Sequence, residues 1–166
     1  MKKILIMAVM ACLTATATAQ DVFRLLLEES KAVAEDRSKD METRKIATFK
    51  YDVLSYMAMQ VRDDVLRDST DLAFFNKTVT MLNEQALALH EFVSFYLERV
   101  NATNRNEERQ LVMMFFSSAS INYPLFNDPD KDLVLSYYNN ENYITRFSLD
   151  TDWVKALALV RQRKSW

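Results

Sequence analysis

Between residues 71 and 102 apolar side chains recur at Phe75, Val79, Leu82, Ala86, Leu89, Val93, Tyr96 and Val100, spaced alternately by four and three. This spacing is the 3.5-residue period of a helix seam, sustained for about eight turns. Phe74, Leu87, Phe92, Phe95 and Leu97 widen the stripe, so this helix is expected to touch more than one neighbour. Upstream, Ile46, Phe49, Val53, Met57 and Val61 mark a second long helix over 42–66, with Tyr51, Leu54, Ala58 and Val65 broadening its face. The polar stretch 67–71 separates the two, and Ser69 or Thr70 is placed to cap the second N-terminus. Two long helices joined by so short a turn run antiparallel.

Shorter periodic segments flank this pair. Val22, Leu25, Leu26, Leu27 and Val33 predict a helix that leaves through the charged stretch 36–40. The polar turn 101–106 precedes Glu107 and Glu108, whose charges suit a helix start. Leu111 to Phe116 are apolar at six consecutive positions, which predicts a helix covered on both sides. The chain breaks around Tyr123-Pro124, and Asp128 before Pro129 reads as an N-cap followed by proline at the first helical position. A short helix follows over 133–138, stopped by Asn139 and Asn140. Residues 143–147 are ambiguous between helix and strand. Asp150 is then expected to cap a last helix through Trp153, Leu157 and Val160. The predicted fold is all-α: a single-domain antiparallel bundle of about five or six helices.

The first residues follow a different logic. Lys2 and Lys3 precede an apolar run from Ile4 to Leu13, and Ala17-Thr18-Ala19 forms an A-x-A cleavage pattern, the layout of a secretory signal. The run falls well short of the roughly 18 residues of a spanning helix. We therefore read 1–19 as a cleaved signal peptide and 20–166 as the bundle domain, periplasmic or secreted, with no transmembrane segment. The alternative is a lipid anchor at Cys12, with Val9-Met10-Ala11 before it as an imperfect lipobox. Removing 19 of the 166 residues leaves 147 and moves the net charge from -2 to -4. It also removes the one cysteine, so the mature bundle is expected to contain no disulfide and to rest on packing alone. A mildly acidic chain without a Lys/Arg cluster argues against nucleic acid as a partner.

Glycine is absent altogether. Glycine-dependent loops, including the Walker A loop, the dinucleotide turn and the nucleophile elbow, are thereby excluded. Ten asparagines are present, most of them at the predicted breaks, and asparagine is the residue that best tolerates the left-handed region after glycine.

The candidate chemistry is sparse. His90-Glu91 opens like a zinc-binding H-E-x-x-H, but Ser94 stands at the second histidine position and His90 is the only histidine. Asp128-Pro129-Asp130-Lys131-Asp132 has the D-x-D-x-D opening of a calcium loop, then fails at Leu133, where a glycine is needed, and at Asn139, where a glutamate is needed. We expect no metal and no cofactor. Asp63, Asp64, Asp68 and Asp71 cluster near the turn, but the interleaved Arg62 and Arg67 favour ionised carboxylates over a protonated acid. No catalytic residue is assigned. The last third mixes aromatic rings with amides, the chemistry of a sugar- or peptide-binding surface. Tyr123, Tyr137, Tyr138, Asn140, Tyr143 and Trp153 are the candidate ligand-binding residues, against the alternative that their rings close the core. The expected function is a non-enzymatic binding module for an unidentified protein or glycan partner. Two alternatives are a small hydrolase built on Asp63, Asp64 or the Asp128 group, and an envelope assembly component that pairs through the Phe75–Val100 seam as a homo-oligomer.

Overall fold

A computed structural model describes residues 22–67, 71–139 and 146–163, without the side chains of 63–67, 138 and 139. Its described residues are helical, with no strand: α1 (22–35), α2 (Met41–Arg67), α3 (Leu72–Ala102), α4 (Asn106–Ile121), α5 (Lys131–Asn139) and α6 (Trp153–Gln162). The signal-peptide reading, Cys12 and the Asp68-Ser69-Thr70 stretch lie outside the described residues. Among the described residues no helix is long and apolar enough to cross a membrane.

The 31 residues of α3 extend about 46 Å at helical rise and form the axis of the fold. It packs against α2, α4 and α6, and α6 also lies on α4. Lys50 Nζ approaches His90 Nδ1 at 3.4 Å while Leu54, one turn on, lines the same small cavity as Ala86, one turn back, so α2 and α3 run antiparallel as their short connection requires. The stripe on α3 is buried from Ala86 through Leu89, Val93 and Tyr96 to Val100. Its first three members, Phe75, Val79 and Leu82, are only half-buried. Phe92, one of the flanking positions, is fully buried and contacts Phe116, Phe147 and Trp153 with ring centroids 5.1–5.3 Å away. These rings meet edge to face, the arrangement that aligns a ring's positive edge with its neighbour's negative face.

Three helix starts correct the sequence reading. The N-cap of α3 is Asp71, which accepts from the Ala73 and Phe74 amides. Asp130, not Asp128, caps α5 by accepting from Leu133 N at 3.0 Å. Asp152, not Asp150, caps α6 by accepting from the Lys155 amide. In each case the capping residue is the one immediately before the first helical residue, because only there does a short carboxylate reach the exposed amides of the first turn. Pro129 stays outside α5, in a turn closed by Asp130 N donating to Asp128 Oδ1 at 2.9 Å.

The six-residue apolar run of α4 is covered on one side only. Val112 and Phe116 are buried against α3 and α6, whereas Leu111 is 58% and Met114 68% exposed. Asn127 has φ of 54° and is the one positive-φ residue among those described, so asparagine takes the left-handed position in a chain without glycine.

Candidate functional site

Phe147 to Trp153 is an irregular stretch in which all seven residues are buried. Buried backbone outside a helix must find hydrogen-bond partners elsewhere. Here they come from α4, α5 and the 123–130 connection. Ser148 N donates to Ser120 Oγ, Leu149 N to the Val134 carbonyl, and Asp152 N to the Tyr123 carbonyl. The Ser120 and Thr151 hydroxyls lie 2.7 Å apart, and Thr151 also donates to the Ser148 carbonyl.

Three buried aspartates organise this region. Asp150 accepts from the amides of Leu125 (2.9 Å), Phe126 (2.8 Å) and Asp128 (2.9 Å), so one carboxylate holds the turn after α4. Asp128 accepts from the Tyr56 hydroxyl at 2.9 Å and the Gln60 amide at 2.6 Å, which ties the same turn to α2. Asp152 accepts from Gln85 Nε2 and pairs with Lys155 Nζ at 2.9 Å. Gln85 Oε1 in turn accepts from Trp153 N, so one buried amide on α3 reads the first turn of α6.

The electrostatics follow from these donors. The Asp130 amide, with the Tyr56 and Gln60 donors, holds the Asp128 carboxyl below the usual carboxylate range. Burial works against ionisation of Asp152, but Gln85 and Lys155 outweigh it and its carboxyl is also lowered. Tyr56 is pushed up, first by burial and then by its bond to Asp128. A general acid in a paired-carboxylate hydrolase needs the opposite, a carboxyl held protonated near neutral pH. Asp52 is raised by burial and receives the Tyr137 hydroxyl. Asp71 is spent on capping α3, and Asp63, Asp64 and Asp68 lie outside the described side chains. Among the described residues no group of three His, Asp or Glu side chains is placed to hold a metal ion. Asp128 and Asp130, which opened the calcium-like pattern, serve the turn and the α5 cap.

The aromatic candidates divide. Trp153 has no exposed surface and belongs to the core, a correction to its place on a binding surface. Its ring is enclosed by Phe49, Phe92 and Phe147 with centroids 5.3–6.3 Å away, because α6 lies directly on α3. Tyr137 is half-buried, edge-on to Phe49 at 5.6 Å, with its hydroxyl given to Asp52. Tyr123 is half-buried in the connection after α4. The Tyr138 side chain, Asn140 and Tyr143 lie outside the described residues. The Trp153 and Tyr137 rings therefore act in closing the core.

An open apolar face lies next to that segment. Asn106, Gln110, Met113, Met114, Ser117, Ser118, Ile121 and Asn122 form one continuous stripe along the outer side of α4, and with Arg146 they line a groove of about 610 Å³. Met113, Met114 and Ile121 supply its apolar floor, with amides at both ends. Arg146 is exposed and makes no ion pair among the described residues. The sequence signal for this face was the apolar run 111–116, read as covered on both sides. No family model, curated protein or solved structure matches the chain.

Proposed function

We propose that the protein is an exported, non-enzymatic binding module that takes an amphipathic helix of a partner protein along the open face of α4. The observation that carries this reading is the α4 stripe, which is apolar, methionine-bearing, about 24 Å long and flanked by the exposed guanidinium of Arg146, which has no ion-pair partner among the described residues. Amphipathic helices dock into apolar grooves through residues at helical spacing, and methionine surfaces adapt to such partners. Arg146 adds a preference for an acidic side chain on the incoming helix. A glycan is the poorer occupant, because no aromatic ring lines the groove among the described residues. The buried aspartates support the non-enzymatic part of the reading, since their oxygens are committed to holding the chain together.

A photo-crosslinking residue at Met114 in the producing cell tests this proposal, with one at the exposed Lys77 as control. The expected result is one discrete adduct from position 114, weakened by Arg146→Glu. An adduct of twice the chain mass identifies a second copy and replaces this reading with the assembly component. Equal labelling from both positions, or none from 114, overturns it. Intact mass of the exported protein tests the address: a chain starting at Gln20 supports cleavage, and a lipid-modified start at Cys12 supports the anchor.

A further inference from the structure

A second cavity, remote from α4, opens where α1, α2 and α3 meet. Its walls are Leu26, Val33, Ile46 and Ala47, and its polar groups are Ser30, Thr43, Lys50, His90 and Glu29. Lys50 Nζ lies 3.4 Å from His90 Nδ1, and no carboxylate among the described residues stands within ion-pairing distance of it. Ser30 is buried at 8% exposure, lines the cavity, and its hydroxyl has no hydrogen-bond partner among the described residues. Thr43 is otherwise engaged, donating its hydroxyl to Asp40. The available polar groups in the cavity are thus an ammonium, a hydroxyl and an imidazole, all capable of donating. Glu29 is exposed at the rim, where solvent screens its charge.

We infer that this cavity binds a short apolar monocarboxylate, its carboxylate held by Lys50, Ser30 and His90 and its tail by Leu26, Val33, Ile46 and Ala47. The volume of about 170 Å³ sets the size. At the ~30 Å³ a water-sized group occupies, it holds about five or six non-hydrogen atoms, the size of butyrate. Below it, toward Leu54, Ala86 and Leu89, the remaining void is only about 10 Å³, so the carboxylate end is closed off. A bare inorganic anion of the same size is disfavoured, because the aliphatic walls offer its outer oxygens no donor. The imidazole couples binding to protons. The charged groups facing it are Lys50 from α2, Glu29 from α1 and Glu91 of its own helix, and Glu91 is paired with Arg161 of α6 at 2.6 Å. Partial burial, then the Lys50 ammonium, holds His90 below the ordinary histidine range. A carboxylate seated beside both cancels the ammonium's influence and draws a proton from solvent onto the ring. This site stands independently of the α4 reading.

His90 is the only histidine, so its ring protons report on the cavity directly by NMR. Titrating purified protein with butyrate is expected to shift them saturably and to raise the His90 pKa by about one unit, a tenfold change in proton affinity. Lys50→Met is expected to weaken the response at least tenfold, Ser30→Ala to weaken it less, and Glu29→Gln to strengthen it. An unchanged Trp153 environment shows that each variant is folded. No saturable shift with about 50 mM butyrate, an equal shift with neutral butyramide, or an undiminished response in folded Lys50→Met overturns the inference. A response to phosphate in place of butyrate overturns the ligand class.

Discussion

Replacing Asp150 by alanine deprives three amides of their acceptor in one step. Its Oδ1 receives Leu125 N and Phe126 N, and its Oδ2 receives Asp128 N, all at 2.8–2.9 Å on a residue 2% exposed. Hydrogen bonds to a charged group contribute about 1.5–3 kcal/mol each, but three on one carboxylate are not additive, and removing a buried charge recovers its desolvation cost. A net loss of about 3–5 kcal/mol is expected for Asp150→Ala, against a total stability of about 5–15 kcal/mol for a domain. Asp150→Asn separates the two oxygens. Its one carbonyl oxygen still serves Leu125 and Phe126, while its NH₂ faces the Asp128 amide, donor against donor, for a loss of about 1–3 kcal/mol. Urea unfolding followed by Trp153 fluorescence gives these losses, with the exposed Asp132→Asn as a control within about 0.5 kcal/mol of the parent. Amide exchange adds a positional signature: Asp150→Asn accelerates exchange at 128 and spares 125 and 126, whereas Asp150→Ala exposes all three. A loss below about 1 kcal/mol for Asp150→Ala, or uniform acceleration in the asparagine variant, would refute the clamp.

Two further outcomes are expected. Asn127→Ala places a β-carbon without a compensating side-chain amide at φ of 54°, and it should cost about 1 kcal/mol. That corresponds to about 2–4 °C in Tm, while Asn127→Gly matches or exceeds the parent, and equal melting of both variants would count against the left-handed turn. Asp128 and Asp152 both titrate below their ordinary range in the folded chain, so the folded state binds fewer protons than the unfolded one. Their stabilisation is complete above the unfolded value near pH 4 and is lost as pH falls through the lower folded values. The urea midpoint should fall as pH drops below about 4, less steeply in Asp128→Asn, and an identical acid slope in that variant would remove Asp128 from the account.

The helices were legible in the sequence because a 3.6-residue period shows in any window of apolar residues, and α2, α3 and the short α5 lie where that period placed them. Their caps were less legible. Ser69, Thr70 and Asp71 stand side by side with Asp128, Asp130, Asp150 and Asp152 further on, and only the backbone path decides which one reaches the first-turn amides. The buried polar scaffold left no local trace. Gln85 finds Trp153 across 68 residues and Asp150 finds Leu125 across 25, while in the sequence Gln85 is a polar residue beside a stripe and Asp150 a capping candidate. Trp153 and Tyr137 were ambiguous for a physical reason: a ring with apolar faces and a polar tip suits a core and a binding surface equally, and packing against Phe49 decides between them here. Leu111 to Phe116 erred in the opposite direction, since continuous hydrophobicity does not reveal that a neighbour is missing on one side.

The position of Phe147 and Trp153 along the chain sets the order in which the molecule can fold. The long α3 is made early and its Phe92 and Tyr96 meet Phe116 of α4, yet both reach Phe147, and Phe92 reaches Trp153, only with residues contributed more than fifty positions later. The turn at 125–128 likewise waits for Asp150. A growing polypeptide that has reached α4 can pair α3 with α2 and α4 but still lacks the Phe147 and Trp153 rings, and contacts this distant in sequence form late. The core is therefore complete only once the buried residues from Phe147 to Val160 have been made.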